Sequence, residues 1–440
     1  MGKNKIPETG IYDARQLGRG RMLLLGFQHM FAMFGATILV PILTGLDVSN
    51  TLLFAGLGTL LFHLITGGRV PAFLGSSFAF LGGYATIAPM LGKQQNIPNL
   101  EMLPYACFGV ACAGLVYVIL AGLFKVFGAK KVMRFFPPIV TGPIIIAIGL
   151  NLSSSAINNC TGNWWIAIAA ILIIVAANIW GKGMIKIIPI LLGVVGSYIV
   201  AVIAGKVDFT EVKDAGFFGI QQFVVAKFDI SAILVMAPIA IAAMMEHIGD
   251  ISAISSTTGK NFIEDPGLHR TLLGDGLATA MAGMFGGPAN TTYGENTGVL
   301  ALSKVYDPRV IRLAALYAII LSFSPKFDAL VNSIPTAIVG GVSFVLYGMI
   351  SAVGVRNVVE NKVDLTKSRN LIIAAVIFVS GLGFSSTGGI TFTVGSADIT
   401  LTGLAIAALA GVLLNAILPG NDYEFGTSVE GDKSADLGSY

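Results

Sequence analysis

The sequence predicts an all-α polytopic membrane protein, with fourteen transmembrane segments in two inverted seven-span repeats and with short strands and half helices in spans 3 and 10. Three observations predict it. Charged residues are 12% of the 440, against roughly 25% in soluble proteins and too few to cover a soluble surface of this size, while hydrophobic residues reach 55%. Apolar runs of about twenty residues, the length that crosses a hydrocarbon core of roughly 30 Å, recur from end to end. With the N-terminus inside, 22 of the 27 lysines and arginines fall in inner segments, and only Lys93, Lys206, Lys213, Lys227 and Lys326 in outer loops.

Residues 1–21 are polar and basic, without the short apolar core and small-residue cleavage site of a signal peptide, and read as a cytosolic tail. Span 1 (22–45) carries GFQHMFAMFGATILVP, and span 2 (49–68) is a plain apolar run. Span 3 (75–92) is entered through PAFLGSSFAFLGG, too polar and glycine-rich for a lipid-facing helix, so an extended strand followed by a half helix is expected. Spans 4 to 7 (104–126, 136–152, 162–181 and 186–205) are predominantly apolar. Span 8 (230–251) holds AAMMEHIGD, span 9 (269–286) LLGDGLATAMAGMFGG, and span 10 (293–304) is broken again, at PANTTYGENTG. Spans 11 to 14 (309–325, 333–353, 370–387 and 400–418) lead to a cytosolic tail, 419–440.

A faint internal repeat joins the halves. Gln28-His29 recurs as Glu246-His247 218 positions on, Phe78 is echoed by Glu295 217 positions on, and Pro137/Gly142 in span 5 match Pro335/Gly340 in span 12. Seven spans per copy is an odd number, so the copies insert with opposite orientation, as in many secondary transporters.

Function candidates are the polar groups that such a chain has to justify. A carboxylate at the centre of a membrane helix costs roughly 2.5–3.5 kcal/mol, which marks Glu246 and Glu295 first. The broken spans leave backbone N–H groups without intrahelical partners around Ser77 and Phe78, and around Gly294 and Glu295; the helix dipole makes these ends suited to a carbonyl or an anion. Glu246 and Asp250 are four apart and share a helix face. Two carboxylates so placed repel, and a proton taken up there relieves the repulsion, which is what proton coupling requires. Asp250 alternatively sits solvated at the cytosolic end of its span. Asp275 reads equally as a coupling group and as a hydrogen-bonded strut. His29, opposite Glu246 in the repeat, is a functional candidate or a packed core residue; His63 and His269 read as structural, His247 points away from Glu246, and Tyr347 reads as aromatic packing.

Several classes are excluded or disfavoured. The net charge of +3 is a topology signal and does not point to nucleic acid. Cys107, Cys112 and Cys160 show no metal-ligand spacing with the histidines and read as free core residues. There is no Walker A sequence, since Gly259-Lys260 is followed by Asn261, and no HExxH. Nothing fixes a nucleophile and base around Gly75-Ser76-Ser77, so no enzyme, metal or cofactor is expected.

With these residues in view the chain resembles the nucleobase:cation symporter-2 family, also called the nucleobase-ascorbate transporters, and within it the uracil permease branch. The resemblance runs from about residue 20 to 418 and rests on LLLGFQHMFAMFGATILVPIL, RVPAFLGSSFAF, EDPGLHRTLLGDGL, NTTYGENTGVLALSKV and GGVSFVLYGMI. The family signature is Glu295, Asn296, Thr297 and Gly298, with Ser303 in place of the usual threonine. The resemblance implies a core domain (22–134 and 230–328), a gate domain (135–229 and 329–418), and proton-coupled uracil uptake by alternating access between them, with both termini cytoplasmic in the inner membrane. It further implies that Glu246 and Glu295 take the ring NH groups, that the amides of Phe78 and Gly294 take the carbonyl oxygens, and that Ala36, Tyr293 and Ser77 shape the pocket. His29 matches the family's first-helix histidine and Tyr347 a gate tyrosine; Glu246, Asp250, His29 and Asp275 are then the proton-coupling candidates. Sodium as coupling ion, and a homodimer through the gate domain, belong to the same set of expectations. Asp250 stands where uracil permeases carry histidine, and Asp275 where they carry asparagine; both resemble the xanthine and urate branch, which makes a purine symporter the nearer alternative. An anion transporter of related architecture is the further one, disfavoured by two carboxylates in the site.

Overall fold

The computed structural model describes residues 10–92, 97–221, 223–394, 397–421 and 423. Lys3, Lys5, Lys93 and Lys433, residues 1–9 and most of the expected C-terminal tail lie outside them. The main helices are α1 (Arg19–Thr44), α2 (Val48–Ile65), α3 (Leu81–Ile87), α4 (Leu103–Phe127), α5 (Pro138–Cys160), α6 (Trp164–Trp180), α7 (Pro189–Ile203), α8 (Ile230–Thr258), α9 (Leu268–Met284), α10 (Gly294–Ser303), α11 (Pro308–Ser322), α12 (Thr336–Glu360), α13 (Ser368–Phe378) and α14 (Gly403–Ile417). Each expected span coincides with one of these. Among the described residues, seven helices are long and apolar enough to cross a bilayer: α1, α2, α4, α5, α8, α12 and α13 with its continuation to Ser386. An eighth arises if α11 and the short helix Pro325–Asn332, bent from it by 86°, count as one. Leu115, Ile119, Val126, Ile179, Ile203 and Leu413 point outward from these helices, as lipid contact requires.

Local chemistry sets the ends. Asp47 accepts from the Asn50 N–H to cap α2, and Asp229 and Asp307 cap α8 and α11 in the same way. α1 stops at Gly45, whose φ of 80° is a left-handed value that glycine adopts at no steric cost. α8 runs seven residues beyond the expected end at 251. In its polar tail Ser252, Ser255 and Thr258 turn their hydroxyls back onto the carbonyls of Ile248, Ile251 and Ile254, so these side chains are bonded within the helix.

Both broken spans have the expected form. Strand β1 (Leu74–Ser76) precedes a single turn at Phe78–Phe80 and α3, and β2 (Asn290–Thr292) precedes α10. The two strands pair antiparallel, Leu74 with Thr292, Gly75 with Thr291 and Ser76 with Asn290. The ladder continues one bond further at each end, from Ser77 N–H to Ala289 C=O at 2.8 Å and from Tyr293 N–H to Phe73 C=O at 3.0 Å. The outer edges are closed by two threonines. Thr59 of α2 accepts from Leu74 N–H at 2.9 Å and donates to its carbonyl at 3.3 Å; Thr279 of α9 treats Asn290 likewise, at 3.1 and 2.9 Å. Every backbone group of an interrupted chain buried this deep needs such a partner.

Around this centre α2 packs on α11 and α9 on α4, α1 on α11 and α8 on α4. α5 lies along α12, α6 against α7 and α13 against α14. The α4–α9 contact is close enough that Gly114 and Gly276 face each other's backbone, where a Cβ on Gly276 would come 2.7 Å from Gly114 C=O.

Residues 10–21 of the expected N-terminal tail pack on the bundle: Ile11 bridges to Val305, Tyr12 hydroxyl donates to Thr258 C=O at 2.6 Å, and Ala14 N–H donates to Asp307 at 2.7 Å. Arg15 beside Asp13 holds that carboxyl down to about 2, and Arg309 reaches the same group at 2.9 Å. The chain is not helical everywhere outside spans 3 and 10, because β3 (Ile390–Val394) and β4 (Ala397–Leu401) form a further hairpin, in contact with α8.

The threonine clasps generate a prediction. Thr59→Val or Thr279→Val orphans a buried strand N–H and should cost about 1–3 kcal/mol each, lowering the thermal unfolding midpoint of the purified protein, whereas Thr→Ser at either position should restore it. Unchanged midpoints in both valine variants would remove the clasps from the account of the fold.

Candidate functional site

α2, α6, α8, α11 and α14 receive a side-chain cap, but the two helices that begin at the strand pair do not. Ser77 and Tyr293 occupy the N-cap positions in extended conformation, and neither places a side-chain oxygen on its helix. The next amides, Phe78 N–H and Gly294 N–H, have no hydrogen-bond partner among the described residues. They are the free donors that a helix start presents, with the partial positive charge of the dipole behind them.

α8 brings carboxylates to these donors. Thr292 hydroxyl, at the end of β2, donates to Asp250 Oδ2 at 2.9 Å, and a Cβ on Gly294 would lie 3.5 Å from Asp250 Oδ1. Asp250 is therefore half-buried against the start of α10 and not a solvated residue at a helix end. One turn back, Glu246 lies deep in the molecule yet its side chain remains accessible. Between them Gly249 faces empty space, with no atom within 4 Å of where a Cβ would stand. Gly294 is accessible as well and Glu295 half-buried, near enough to Glu246 for the two to repel. Glu246, Gly249, Asp250, Gly294 and Glu295 thus bound an open space inside an otherwise apolar bundle.

The remaining candidates support this space from behind. Tyr293 is buried and acts as a strut, its hydroxyl donating to Ser76 C=O at 2.8 Å and accepting from Thr37 at 3.3 Å, while Ser76 hydroxyl donates to Thr37 C=O. Phe78, Ser77 and Ala36 are buried too, Phe78 being 9% exposed and the other two 1–2%. His29 is fully buried on α1, and Asn296 Nδ2 of α10 donates both to its ring at 3.2 Å and to its carbonyl at 3.0 Å. The structure therefore puts His29 on an α1–α10 tether. Asp275 of α9 pairs with His247 Nδ1 of α8 at 3.1 Å, both wholly buried, with the Phe62 ring edge-on to the imidazole. Tyr347 is buried on α12 beside Ser343. Sequence reading gave no role to Thr292, Asn296 or the two clasp threonines; of these only Asn296, next to Glu295 in the signature, carried a local signal.

A family model described as "Permease family" matches residues 20–389. The chain is 40% identical over 425 residues to a probable uracil permease of Haemophilus influenzae, covering 94% of this chain and 98% of that one. To a uracil permease of Bacillus caldolyticus it is 42% identical over 417 residues, covering 91% and 93%. Among solved structures, the transmembrane domain of a cyanobacterial bicarbonate transporter, BicA, matches with a TM-score of 0.61 at 15% identity over 94% of this chain and 100% of that domain, a likeness of fold alone. These matches bear out the resemblance read from the motifs.

Removing one member of a buried polar contact leaves the other unsatisfied, at about 1–3 kcal/mol. Asp275→Ala should therefore lose most of its monodisperse protein in fluorescence-detected size-exclusion chromatography, while Asp275→Asn, which keeps an oxygen for His247, should retain it. Equal yields for Asp275→Ala and the parent would show that the pair does not hold α8 to α9.

Proposed function

The chain belongs to the permease family matched over residues 20–389, and from that premise we propose that it takes up uracil with protons, by alternating access between a core and a gate domain. As a member of that family it is a multi-pass membrane transporter and not an enzyme. The observation that carries the proposal is the uncapped start of α10 beside the carboxylates of α8 around one open space, with the second uncapped start, at Phe78, held to it by the strand pair. Uracil has two ring NH donors and two carbonyl acceptors. Glu246 and Glu295 supply acceptors, the amides of Phe78 and Gly294 supply donors, and relatives named uracil permeases share about 40% of the chain's residues. A site whose buried polar groups go unpaired with the wrong ligand discriminates strongly, and this places selectivity on Glu295.

The contact pattern supports an inverted repeat of fourteen spans. Adding seven to each helix number turns α2 on α11 into α9 on α4, and α1 on α11 into α8 on α4; it turns α6 on α7 into α13 on α14 and returns α5 on α12 to itself. Residues 73–77 and 289–293 make the same ladder contacts, and Thr59 and Thr279 the same clasps. Helices of 22–134 and 230–328 pack mainly on one another and form the core; those of 135–229 and 329–418 form the gate. At the seam Gly35 of α1 meets the backbone of Leu191 on α7, where a Cβ would come within 2.9 Å of the Leu191 nitrogen. A smooth contact of this kind allows one domain to shift against the other. Asp250 links the proton to the substrate: taking up a proton weakens its acceptance from Thr292 and so loosens the start of α10, where uracil is held. We place both termini in the cytoplasm of a cell whose inner membrane holds the protein, with dimerisation through the gate domain.

Glu246→Gln or Glu295→Gln should abolish uracil uptake while membrane expression stays near the parent level; normal uptake by both would sink the assignment. Competition with unlabelled xanthine separates the purine alternative suggested by Asp250 and Asp275, because a purine site prefers xanthine. In vesicles an inward proton gradient should drive uracil accumulation and its collapse should stop it, whereas a response to a sodium gradient alone would remove the proton from the cycle.

A further inference from the structure

We propose that a cavity of about 740 Å³, at the end of the molecule carrying the N-terminal segment, binds a phosphate-bearing ligand through Arg312 and Lys260. Its walls come from the segment around Tyr12 to Arg15, the chain after α2 at Gly68 and Arg69, the α8–α9 link and the start of α11. The volume suits a small molecule or a lipid headgroup.

The charges lining it are five bases and four acids, and most are already matched. Asp13 pairs with Arg15 and Arg309, and Arg69 pairs with Asp265. Asp307 accepts from Ala14 N–H, from Arg309 N–H as the cap of α11, and from the Arg309 guanidinium at 3.5 Å. Arg312 has neither a hydrogen bond nor an ion pair among the described residues, and its Nε is buried from solvent without a partner. A buried guanidinium nitrogen left so is costly, and the group's planar fork matches phosphate oxygens. Lys260 makes no ion pair; its Nζ is held 4.5 Å from the Tyr12 ring centre, which fixes the ammonium on the wall of the same cavity. Glu264, the acid left over, is exposed. The cavity therefore presents a net positive pair, one member already desolvated, and a phosphate group completes it. Because the walls join the ends of α8 and α11 to the N-terminal segment, an occupant ties these elements together.

The test uses the purified full chain in phosphatidylcholine nanodiscs, titrated with inorganic pyrophosphate against sodium chloride of equal ionic strength, and in parallel in nanodiscs containing phosphatidylglycerol. Thermal unfolding is the readout, since a ligand that binds only the folded state raises the midpoint. Stabilisation by pyrophosphate in neutral discs assigns a soluble ligand; stabilisation only by phosphatidylglycerol assigns a lipid headgroup. In either case Arg312→Gln and Lys260→Gln should each weaken the response at least about tenfold, with Arg312→Lys intermediate. Lys260 is exposed, so its variant keeps the fold and decides the matter should Arg312→Gln be unstable. No response to either probe, or the same response in Lys260→Gln as in the parent, overturns the proposal.

Discussion

The structure depends on what happens when a polypeptide is interrupted in the middle of an apolar bundle. Every N–H and C=O released by stopping a helix has to be bonded within the protein, because hydrocarbon offers nothing. Here two interruptions solve the problem for each other. β1 and β2 pair over three residues, the ladder extends to Ser77 and Tyr293, and Thr59 and Thr279 close the free edges. What the arrangement leaves without a partner among the described residues are the first amides of each half helix, Phe78 N–H and Gly294 N–H foremost. A site made from that remainder needs no specialised side chain for its donors; it needs only that the strand pair hold both helix starts in place.

The acidic residues show two answers to a second constraint, that a carboxylate in an apolar environment requires a partner. Asp275 lies 3.1 Å from His247 Nδ1, and both are sealed from solvent. Asp250 accepts a hydroxyl from Thr292 and is half-buried, and Glu246 opens on free space. The first carboxylate is thus enclosed between two helices, and the other two border the space at the start of α10.

Much of this was legible in the sequence because its signals are local. The scarcity of charge gave the class, and PAFLGSSFAF and PANTTYGEN each announced a helix that starts too late and too polar to face lipid. The departures have equally local causes. α8 runs past 251 with its serine and threonine hydroxyls bonded to its own carbonyls, so a polar stretch read as a span end is still helix. The β3–β4 hairpin alternates apolar and polar residues through ITFTV and ADITL, a strand signal hidden within a glycine-rich connection between two expected spans. The tethers that define the site were not legible: Thr292 to Asp250, and Asn296 to His29, join residues 42 and 267 positions apart, and no spacing rule anticipates them.

The scaffold and the site also differ in symmetry. The ladder contacts of 73–77 recur at 289–293, 216 positions on, which corrects the echo of Phe78 by Glu295 read from the sequence: the position equivalent to Phe78 is Gly294 and the position equivalent to Glu295 is Ala79. One half helix begins with a large ring followed by a methyl, the other with open backbone followed by a carboxylate. On α8 the acidic face of Glu246 and Asp250 looks toward the second of these. A symmetric frame thus delivers two similar donors, while every acidic group falls on one side of the space between them. Uracil has the matching property, since its ring places carbonyls on either side of one NH but carries its second NH on one edge only. A site with donors from both halves and acceptors from one is the arrangement that fixes such a ring in a single orientation, and the repeat supplies the first half of that requirement while its divergence supplies the second.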